Sequence, residues 1–259
     1  MKLSLPKHYN GQISKAVAEF DLLEDGDRVL VGLSGGKDSS FLTYAMKFLK
    51  KYSSIDFDLC VVTVDMGFFS EEYFENLKKF CDFIKVDYYI EKLDTDSSLS
   101  FDDNKKSPCA VCSHVRKGAL IGYMNREGFN KLALGHHLDD AVETLLMSII
   151  YSGQITTFRP LQHLSENKVD IIRPLVYLRE NKISEFISGL SWYNIIDTCC
   201  EFASDSARAE TGKLFEKVFR DSQLFFNLVS VIREGVPIEL WPSEMEKEKL
   251  SKKIRSIWK

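Results

Sequence analysis

Apolar and polar positions follow two periods along this chain, and their order predicts an α/β fold. Short runs of branched apolar residues predict strands, because strands covered on both faces need apolar side chains throughout. Five strands are predicted in this way, over residues 29–33, 59–64, 87–91, 131–134 and 171–175. Apolar residues at helical spacing predict helices over 11–23, 41–49, 71–84, 108–126, 141–150, 179–190 and 204–232, and a charged helix beyond Trp241.

Strands and helices in this order close into right-handed crossover units. We therefore expect a doubly wound, parallel five-stranded sheet with an N-terminal helix and a C-terminal helical extension. The expected divisions are a helical segment at 1–26, a sheet domain at 27–202 and the extension at 203–259. Two stretches, 93–108 and 152–170, are expected to be an active-site loop and a polar connection.

A glycine pair interrupts the first strand-to-helix connection, in the stretch Ser34-Gly-Gly-Lys-Asp-Ser39. Small residues here let the backbone approach a ligand, and the following helix directs unpaired N–H groups and a positive dipole end toward an anion. Lys37 adds a charge that neutralises phosphate, and Ser39 adds a donor. The stretch predicts a phosphate-binding loop. The alternative is a turn that is merely rich in small residues.

A second polar cluster, Gly135-His-His-Leu-Asp-Asp140, follows a later strand in the same manner. Parallel strands deliver such loops to one edge, so we expect both clusters to face one cleft. The tandem aspartates Asp139 and Asp140 suit a metal ion or substrate activation, and helix capping is their alternative role. His136 and His137 are candidates for phosphate contact, against the alternative of buried, hydrogen-bonded imidazoles.

Two cysteine pairs are the remaining candidates for chemistry. Cys109 and Cys112 lie three residues apart at a helix start, where the dipole favours thiolate. Cys199 and Cys200 end an extended piece over 193–200, and only one of two adjacent side chains can reach the same site. The alternatives for these cysteines are a zinc site, a redox pair, an iron–sulfur cluster and free thiols. A structural zinc site is disfavoured because the sequence has no second Cys-x-x-Cys pair to complete its four ligands.

Composition and charge fit an ordinary globular enzyme. The 259 residues are 44% hydrophobic and 28% charged, enough for one sizeable core and an appended element. A net charge of −4 excludes a globally basic nucleic-acid binder, so a nucleic-acid partner must meet local basic patches.

With no signal peptide or membrane span, we expect a cytoplasmic protein. Cys60 and Cys81 fall within core patterns and are predicted to be packing residues.

The stretch Ser34-Gly-Gly-Lys-Asp-Ser39 after a strand resembles the PP-loop of the ATP pyrophosphatases, which adenylate a substrate and release pyrophosphate. Three further motifs are Pro108-Cys109-x-x-Cys112 with Arg116, Lys117 and Gly118 behind it, Leu134-Gly-His-His-x-Asp-Asp140, and Ile172-Arg-Pro-Leu175. As a set, the motifs are similar to those of the tRNA 2-thiocytidine synthetases, the TtcA-type sulfurtransferases that thiolate the cytidine at tRNA position 32. The resemblance covers residues 12–202.

This resemblance implies an adenine nucleotide alpha hydrolase-like fold, Mg²⁺ with ATP, a 4Fe-4S cluster on three cysteines, and tRNA as substrate. In such families the C2 oxygen of the base is adenylated, pyrophosphate leaves, and sulfur carried on the cluster replaces the oxygen. The implied partners also include a sulfur donor, which is a cysteine desulfurase or free sulfide. The oligomeric state stays open, with a homodimer as one alternative, and no membrane partner is expected.

The resemblance also implies three sets of residues. Nucleotide and magnesium binding is expected from Ser34, Gly35, Gly36, Lys37, Asp38, Ser39, Asp65, Gly135 and Asp139. Catalysis is expected to depend on Lys37, Asp38, Arg116 and Asp140. The cluster is expected on Cys109, Cys112 and Cys199, with Cys200 as the alternative third ligand.

Asp65, at the carboxyl end of the second strand, is assigned to the adenosine pocket, and an equal alternative is that it shapes its own loop.

Two competing functions remain open at this point. A ligase similar to tRNA-Ile lysidine synthetase uses the same loop and needs no cysteines. A non-enzymatic nucleotide-binding module would bind ATP without releasing pyrophosphate.

Overall fold

The computed structural model describes residues 3–93, 108–193, 207–233 and 245–257. Its strands are β1 (Arg28–Gly32), β2 (Asp58–Asp65), β3 (Asp87–Lys92), β4 (Lys131–Ala133), β5 (Leu161–Leu164) and β6 (Val169–Ile172). Its helices are α1 (Lys7–Glu19), α2 (Lys37–Tyr52), α3 (Glu71–Ile84), α4 (Pro108–Glu127), α5 (Leu138–Met147), α6 (Glu180–Ser188), α7 (Ala207–Leu214), α8 (Glu216–Arg220), α9 (Ser222–Val231) and α10 (Lys247–Ile257). A π-helical turn at Ser148–Ser152 follows α5.

The strands form one sheet in the order β3-β2-β1-β4-β6-β5, and every neighbouring pair is parallel except β5 with β6. The α/β class and the five predicted parallel strands are therefore confirmed. The chain leaves β1 toward β2 on one side and later enters β4 on the other side. The loops that follow β1 and β4 thus lie at the switch point of the sheet, where α/β folds bind ligands.

A sixth strand lies where the sequence predicts only a polar connection, so the prediction for 152–170 is wrong in part. β5 pairs with β6 antiparallel, with Leu161 opposite Ile172 and Leu164 opposite Val169. The strand has only four residues and lies at the sheet edge. Its alternation of apolar and polar positions is therefore too short to be distinguished from a loop.

The N-terminal helix exists as predicted, but α1 begins and ends earlier than 11–23. The carbonyl of Pro6 accepts the first N–H groups of the helix, from Tyr9 at 3.1 Å and Asn10 at 3.2 Å. The helix ends before Asp21, whose φ of +49° is incompatible with a right-handed turn. Apolar spacing alone does not carry these two boundary signals.

Two apolar clusters cover the two faces of the sheet. Val29 and Val31 of β1 join the cluster that includes residues of α1, α2, α3 and α6, whereas Leu30 joins the cluster that includes residues of α4. Cys60 and Cys81 are buried in these clusters, and burial raises the pKa of the Cys60 thiol to about 11. Both cysteines are packing residues, as predicted.

The C-terminal helices α7, α8 and α9 lie within the predicted helical region 204–232. Phe225 of α9 is fully buried against Leu138, Val142 and Leu146 of α5, so this region packs on the helix that follows β4. The predicted charged helix is α10. Across the four described ranges, no helix has the length and apolar content that a membrane span needs.

Candidate nucleotide and cysteine site

The predicted phosphate loop joins β1 to α2 and is closed by serine hydroxyls. Ser39 Oγ donates to Gly36 O at 3.0 Å and accepts the Ser34 N–H at 3.1 Å. α2 begins at Lys37 directly after Gly36, and no side chain caps its first turn. The first N–H groups of α2 are therefore suited to an anionic ligand.

Tyr73 of α3 holds this loop from one side. Gly35 has a φ of +75°, and a Cβ at this position would lie 2.9 Å from Tyr73 Cε2. The Tyr73 hydroxyl donates to Ser34 O at 3.0 Å. Burial raises the pKa of Tyr73, and the positive charge of Arg116 opposes that rise. Glycine and tyrosine together thus fix the loop backbone.

Lys37 is paired with two carboxylates. Its Nζ lies 3.1 Å from Asp38 Oδ2 and 2.8 Å from Glu180 Oε1 at the start of α6. Burial alone would lower the pKa of Lys37, but the hydrogen bond with Glu180 and the charge of Asp38 outweigh burial, so the pKa is raised. Lys37 therefore keeps the positive charge that phosphate binding requires.

Asp38 has one oxygen that no described donor satisfies. Burial raises the pKa of Asp38 more than the charges of Lys37 and His137 lower it. Its Oδ1 is buried without a hydrogen-bond partner among the described residues, and His137 Nε2 lies 3.6 Å away. A buried oxygen of this kind is costly to leave unpaired, and Mg²⁺ prefers carboxylate oxygens.

The loop after β4 touches the phosphate loop, as the sequence predicts for two loops in one cleft. A Cβ on Gly135 would lie 3.0 Å from Asp38 C, 3.1 Å from Asp38 O and 3.1 Å from Ser39 N. The α2 backbone therefore occupies the space that a side chain would need. Glycine at position 135 is required for the close approach of the two loops.

The tandem aspartates of this second loop both serve helix N-termini. Asp140 Oδ2 accepts the His137 N–H at 2.8 Å, and Asp140 N donates to His137 Nδ1 at 3.4 Å, which forms a capping box on α5. Asp139 Oδ1 accepts from Arg179 Nε at 2.9 Å, and its Oδ2 accepts from Glu180 N at 2.7 Å. These contacts match the capping alternative considered from the sequence.

A buried arginine orients His136. Arg173 Nε donates to His136 Nδ1 at 3.3 Å, Nη1 donates to Arg159 O at 2.6 Å, and the guanidinium lies 5.0 Å from the centre of the Phe158 ring. Burial lowers the pKa of Arg173 to about 10. Because arginine can only donate, His136 Nδ1 must accept, and the ring proton of the neutral imidazole lies on Nε2. In this arrangement His136 is an N–H donor.

Asp65 binds within its own turn. Its Oδ1 accepts the Gly67 N–H at 2.9 Å, and its carbonyl accepts the Leu93 N–H at 3.0 Å. Gly67 has a φ of +85°, so the carboxylate stabilises a turn that needs glycine. This geometry matches the loop-shaping alternative, at the carboxyl end of the strand beside β1.

The Cys-x-x-Cys pair opens α4 as predicted, with Cys109 in the first turn and Cys112 one turn later. Cys112 is half-buried, and Arg116 Nη2 donates to its Sγ at 3.7 Å. Cys199 and Cys200 lie outside the described residues. Within the part of the chain that the structure describes, no group of three or more His, Cys, Asp or Glu side chains could hold a metal ion.

Sequence reasoning missed Glu180 and assigned Tyr73 only to an apolar helix stripe. An acidic residue in a first helical turn is ordinary, because it complements the helix dipole. Tyrosine in an apolar stripe is equally ordinary in a core. The local pattern around either residue therefore carries no signal of its contact with the phosphate loop.

Known proteins similar to this chain share the PP-loop domain. The family model described as PP-loop domain matches residues 5–199. A tRNA-cytidine(32) 2-sulfurtransferase of Citrifermentans bemidjiense is 32% identical over 221 residues, which cover 82% of this chain and 84% of that protein. A relative of the same name from Saccharophagus degradans is 38% identical over 172 residues. These residues cover 65% of this chain but 54% of that relative, so the chain spans about half of its length.

A solved structure shares the fold. The U34-tRNA thiolase NcsA of Methanococcus maripaludis, solved with its [4Fe-4S] cluster, superposes with a TM-score of 0.69 and 22% sequence identity. The match covers 91% of this chain and 83% of that chain. At this identity, the likeness concerns the fold.

Proposed function

The chain belongs to the PP-loop family, within the group whose relatives are named tRNA-cytidine(32) 2-sulfurtransferases, and we propose that it is an ATP-dependent tRNA sulfurtransferase. The substrate is a cytidine of tRNA, at position 32 as in the names of those relatives. The base C2 oxygen attacks the α-phosphorus of ATP and pyrophosphate leaves. A sulfur nucleophile then adds at C2, and AMP leaves with the former C2 oxygen.

The observation that best supports the proposal is that Arg116 links the cysteine helix to the phosphate loop, because it contacts Cys112 and its charge acts on Tyr73. The Tyr73 hydroxyl contacts the phosphate loop at Ser34 O, and the charge of Arg116 acts on that hydroxyl. Arg116 in turn donates to Cys112 Sγ. A base bound between the phosphate loop and Cys112 would be within reach of both ATP and sulfur, as a two-step replacement of oxygen requires.

The residues near the phosphate loop suit the first step. Lys37 and the first N–H groups of α2 hold the phosphates and neutralise the charge that develops as pyrophosphate leaves. Asp38 would hold Mg²⁺ through Oδ1, the buried oxygen that the described donors leave unsatisfied. His136, whose Nδ1 accepts from Arg173, belongs to the second loop at the same edge of the sheet.

The residues of α4 suit the second step. Cys109 and Cys112, one helical turn apart, would hold two positions of a 4Fe-4S cluster, with Cys199 or Cys200 as the third ligand. When bound, such a cluster would supply sulfur at the oxidation level of sulfide, taken from sulfide itself or from the persulfide of a cysteine desulfurase after two-electron reduction by a thiol. Arg116 places a fixed positive charge beside Cys112, where it stabilises negative charge on sulfur.

The test is thiolation of tRNA by anaerobically purified protein with ATP and sulfide, followed by mass spectrometry of the tRNA nucleosides. We expect 2-thiocytidine from brown, iron-containing protein, and loss of product in Cys112→Ala. A colourless protein that attaches an amino acid to cytidine would instead identify a ligase. ATP binding without pyrophosphate release in the presence of tRNA would identify a binding module.

Lys37→Ala tests the nucleotide site separately. It removes a charged hydrogen bond, which costs about 2–3 kcal/mol. Calorimetry should therefore show ATP binding weakened by about 30- to 150-fold. Lys51→Ala, at the exposed last turn of the same helix, is the matched control and should leave ATP binding unchanged. Equal affinity in both variants would exclude the phosphate-loop assignment.

A further inference from the structure

An exposed aromatic side chain lies beside the phosphate loop. Phe68 follows β2, the strand next to β1, and is 57% exposed. The turn before it is fixed by the hydrogen bond from Gly67 N to Asp65 Oδ1. A single exposed apolar side chain needs no explanation in a folded protein. Phe68 differs because its ring continues a stack that ends on the proposed nucleotide site.

The stack has three rings. The ring centres of Phe69 and Tyr73 lie 4.3 Å apart with planes 19° from parallel, so the inner two rings are stacked. The ring centres of Phe68 and Phe69 lie 4.6 Å apart with planes tilted by 53°, so the outer ring contacts this pair at an angle. Tyr73 is buried and bonded to Ser34 O, and Phe69 packs against the main core cluster. Exposure falls along the stack, from the exposed Phe68 through the half-buried Phe69 to the buried Tyr73, so the inner rings hold the outer ring in place.

The stack also adjoins the cysteine helix. Arg116 acts electrostatically on the Tyr73 hydroxyl and contacts Cys112 Sγ at 3.7 Å. Arg116 thus lies toward the buried end of the stack, and the exposed Phe68 ring lies at its other end. Positive charge and exposed aromatic rings are the groups that bind single-stranded nucleic acid, because the charge meets phosphate and the ring stacks on a base.

We propose that Phe68 is the stacking surface for the cytidine that the enzyme modifies, a role that rests on the proposed function. The base must leave its own stack to expose C2 to an active site, and a flipped base is commonly held by stacking on aromatic side chains. Its C2 must be accessible both to the α-phosphate and to sulfur. The Phe68–Phe69–Tyr73 stack adjoins the groups that serve both steps.

The adenine of ATP is the other flat ring in the reaction, and the experiment separates the two. Phe68→Ala and Phe68→Trp are compared with Phe83→Ala, a matched control that removes an exposed ring near the opposite end of α3. ATP affinity is measured by calorimetry. RNA affinity is measured with a tRNA transcript and with the same transcript carrying an abasic nucleotide at the target position.

Because one base–ring stack is lost, Phe68→Ala should weaken binding of the intact transcript by roughly tenfold. Phe68→Trp should restore binding, ATP affinity should stay unchanged, and wild type and Phe68→Ala should bind the abasic transcript equally. Loss of ATP affinity would assign the ring to adenine and overturn the proposal. Equal losses on both transcripts, or no loss, would also overturn it. These measurements need no turnover, so failed thiolation by the wild type would count against the proposed function alone.

Discussion

Gly135→Ala is expected to separate the two loops that form the nucleotide cleft. The new Cβ would lie 3.0–3.1 Å from three backbone atoms of Asp38 and Ser39, closer than ordinary van der Waals contact. These atoms belong to the first turn of α2 and cannot rotate away as a flexible side chain would. The loop or the helix must therefore shift by some tenths of an ångström.

Overpacking of this kind costs typically about 1–3 kcal/mol. For a protein of this size, such a loss lowers the melting temperature by about 2–10 °C. The shift also moves the first N–H groups of α2 relative to the phosphate loop. We therefore expect weaker ATP binding in addition to the lower stability.

The assay is thermal unfolding together with calorimetric titration of ATP. Gly122→Ala is the matched control, because it makes the same substitution within α4, where a Cβ meets nothing within 4 Å. That variant should gain roughly 0.5–1 kcal/mol, since glycine is unfavourable inside a helix. If Gly135→Ala were as stable as Gly122→Ala and bound ATP normally, the inferred contact between the loops would be wrong.

Two further variants test the carboxylates around Lys37. Glu180→Gln should tighten ATP binding by up to about fivefold, because the exposed ion pair between Glu180 and Lys37 competes with phosphate and is worth up to about 1 kcal/mol. The control is Glu185→Gln, whose partner is Lys182 and which should leave the calorimetric ATP affinity unchanged. Weaker ATP binding in Glu180→Gln would refute the competition between Glu180 and phosphate. Asp139→Asn should lose about 2–3 kcal/mol of unfolding free energy in urea, because Arg179 loses its charged acceptor. Normal stability combined with lost ATP affinity would show that Asp139 acts on the nucleotide instead.

The sequence predicts most of the fold because the central parallel strands are apolar throughout and the helices between them have clear stripes. The edge strand β5 escapes prediction because four half-exposed residues do not establish a period. The phosphate loop is equally predictable, since its glycines, lysine and strand–helix context are contiguous. The contact between Gly135 and α2 follows from topology, because parallel strands deliver both loops to one edge.

Contacts that depend on distant residues could not be predicted. Glu180 forms an ion pair with Lys37 because β6 and α6 bring it to the switch point of the sheet. Tyr73 packs against Gly35 because α3 lies beside the phosphate loop. Nothing in the spacing near either residue encodes such a partner. The same limit applies to Asp139, whose acceptor role toward Arg179 requires α6 to be in place.

The hydrogen bonds and ion pairs of the carboxylates in the cleft indicate which of their oxygens is suited to bind Mg²⁺. Asp140 caps α5, and Asp139 is shared between Arg179 and the first N–H group of α6. The Oε1 atom of Glu180 and the Oδ2 atom of Asp38 pair with Lys37. Among these carboxylates, Asp38 Oδ1 is the buried oxygen that the described donors leave unsatisfied. The tandem aspartates thus hold helix N-termini in the cleft, and Asp38 is the carboxylate that we propose for the ion.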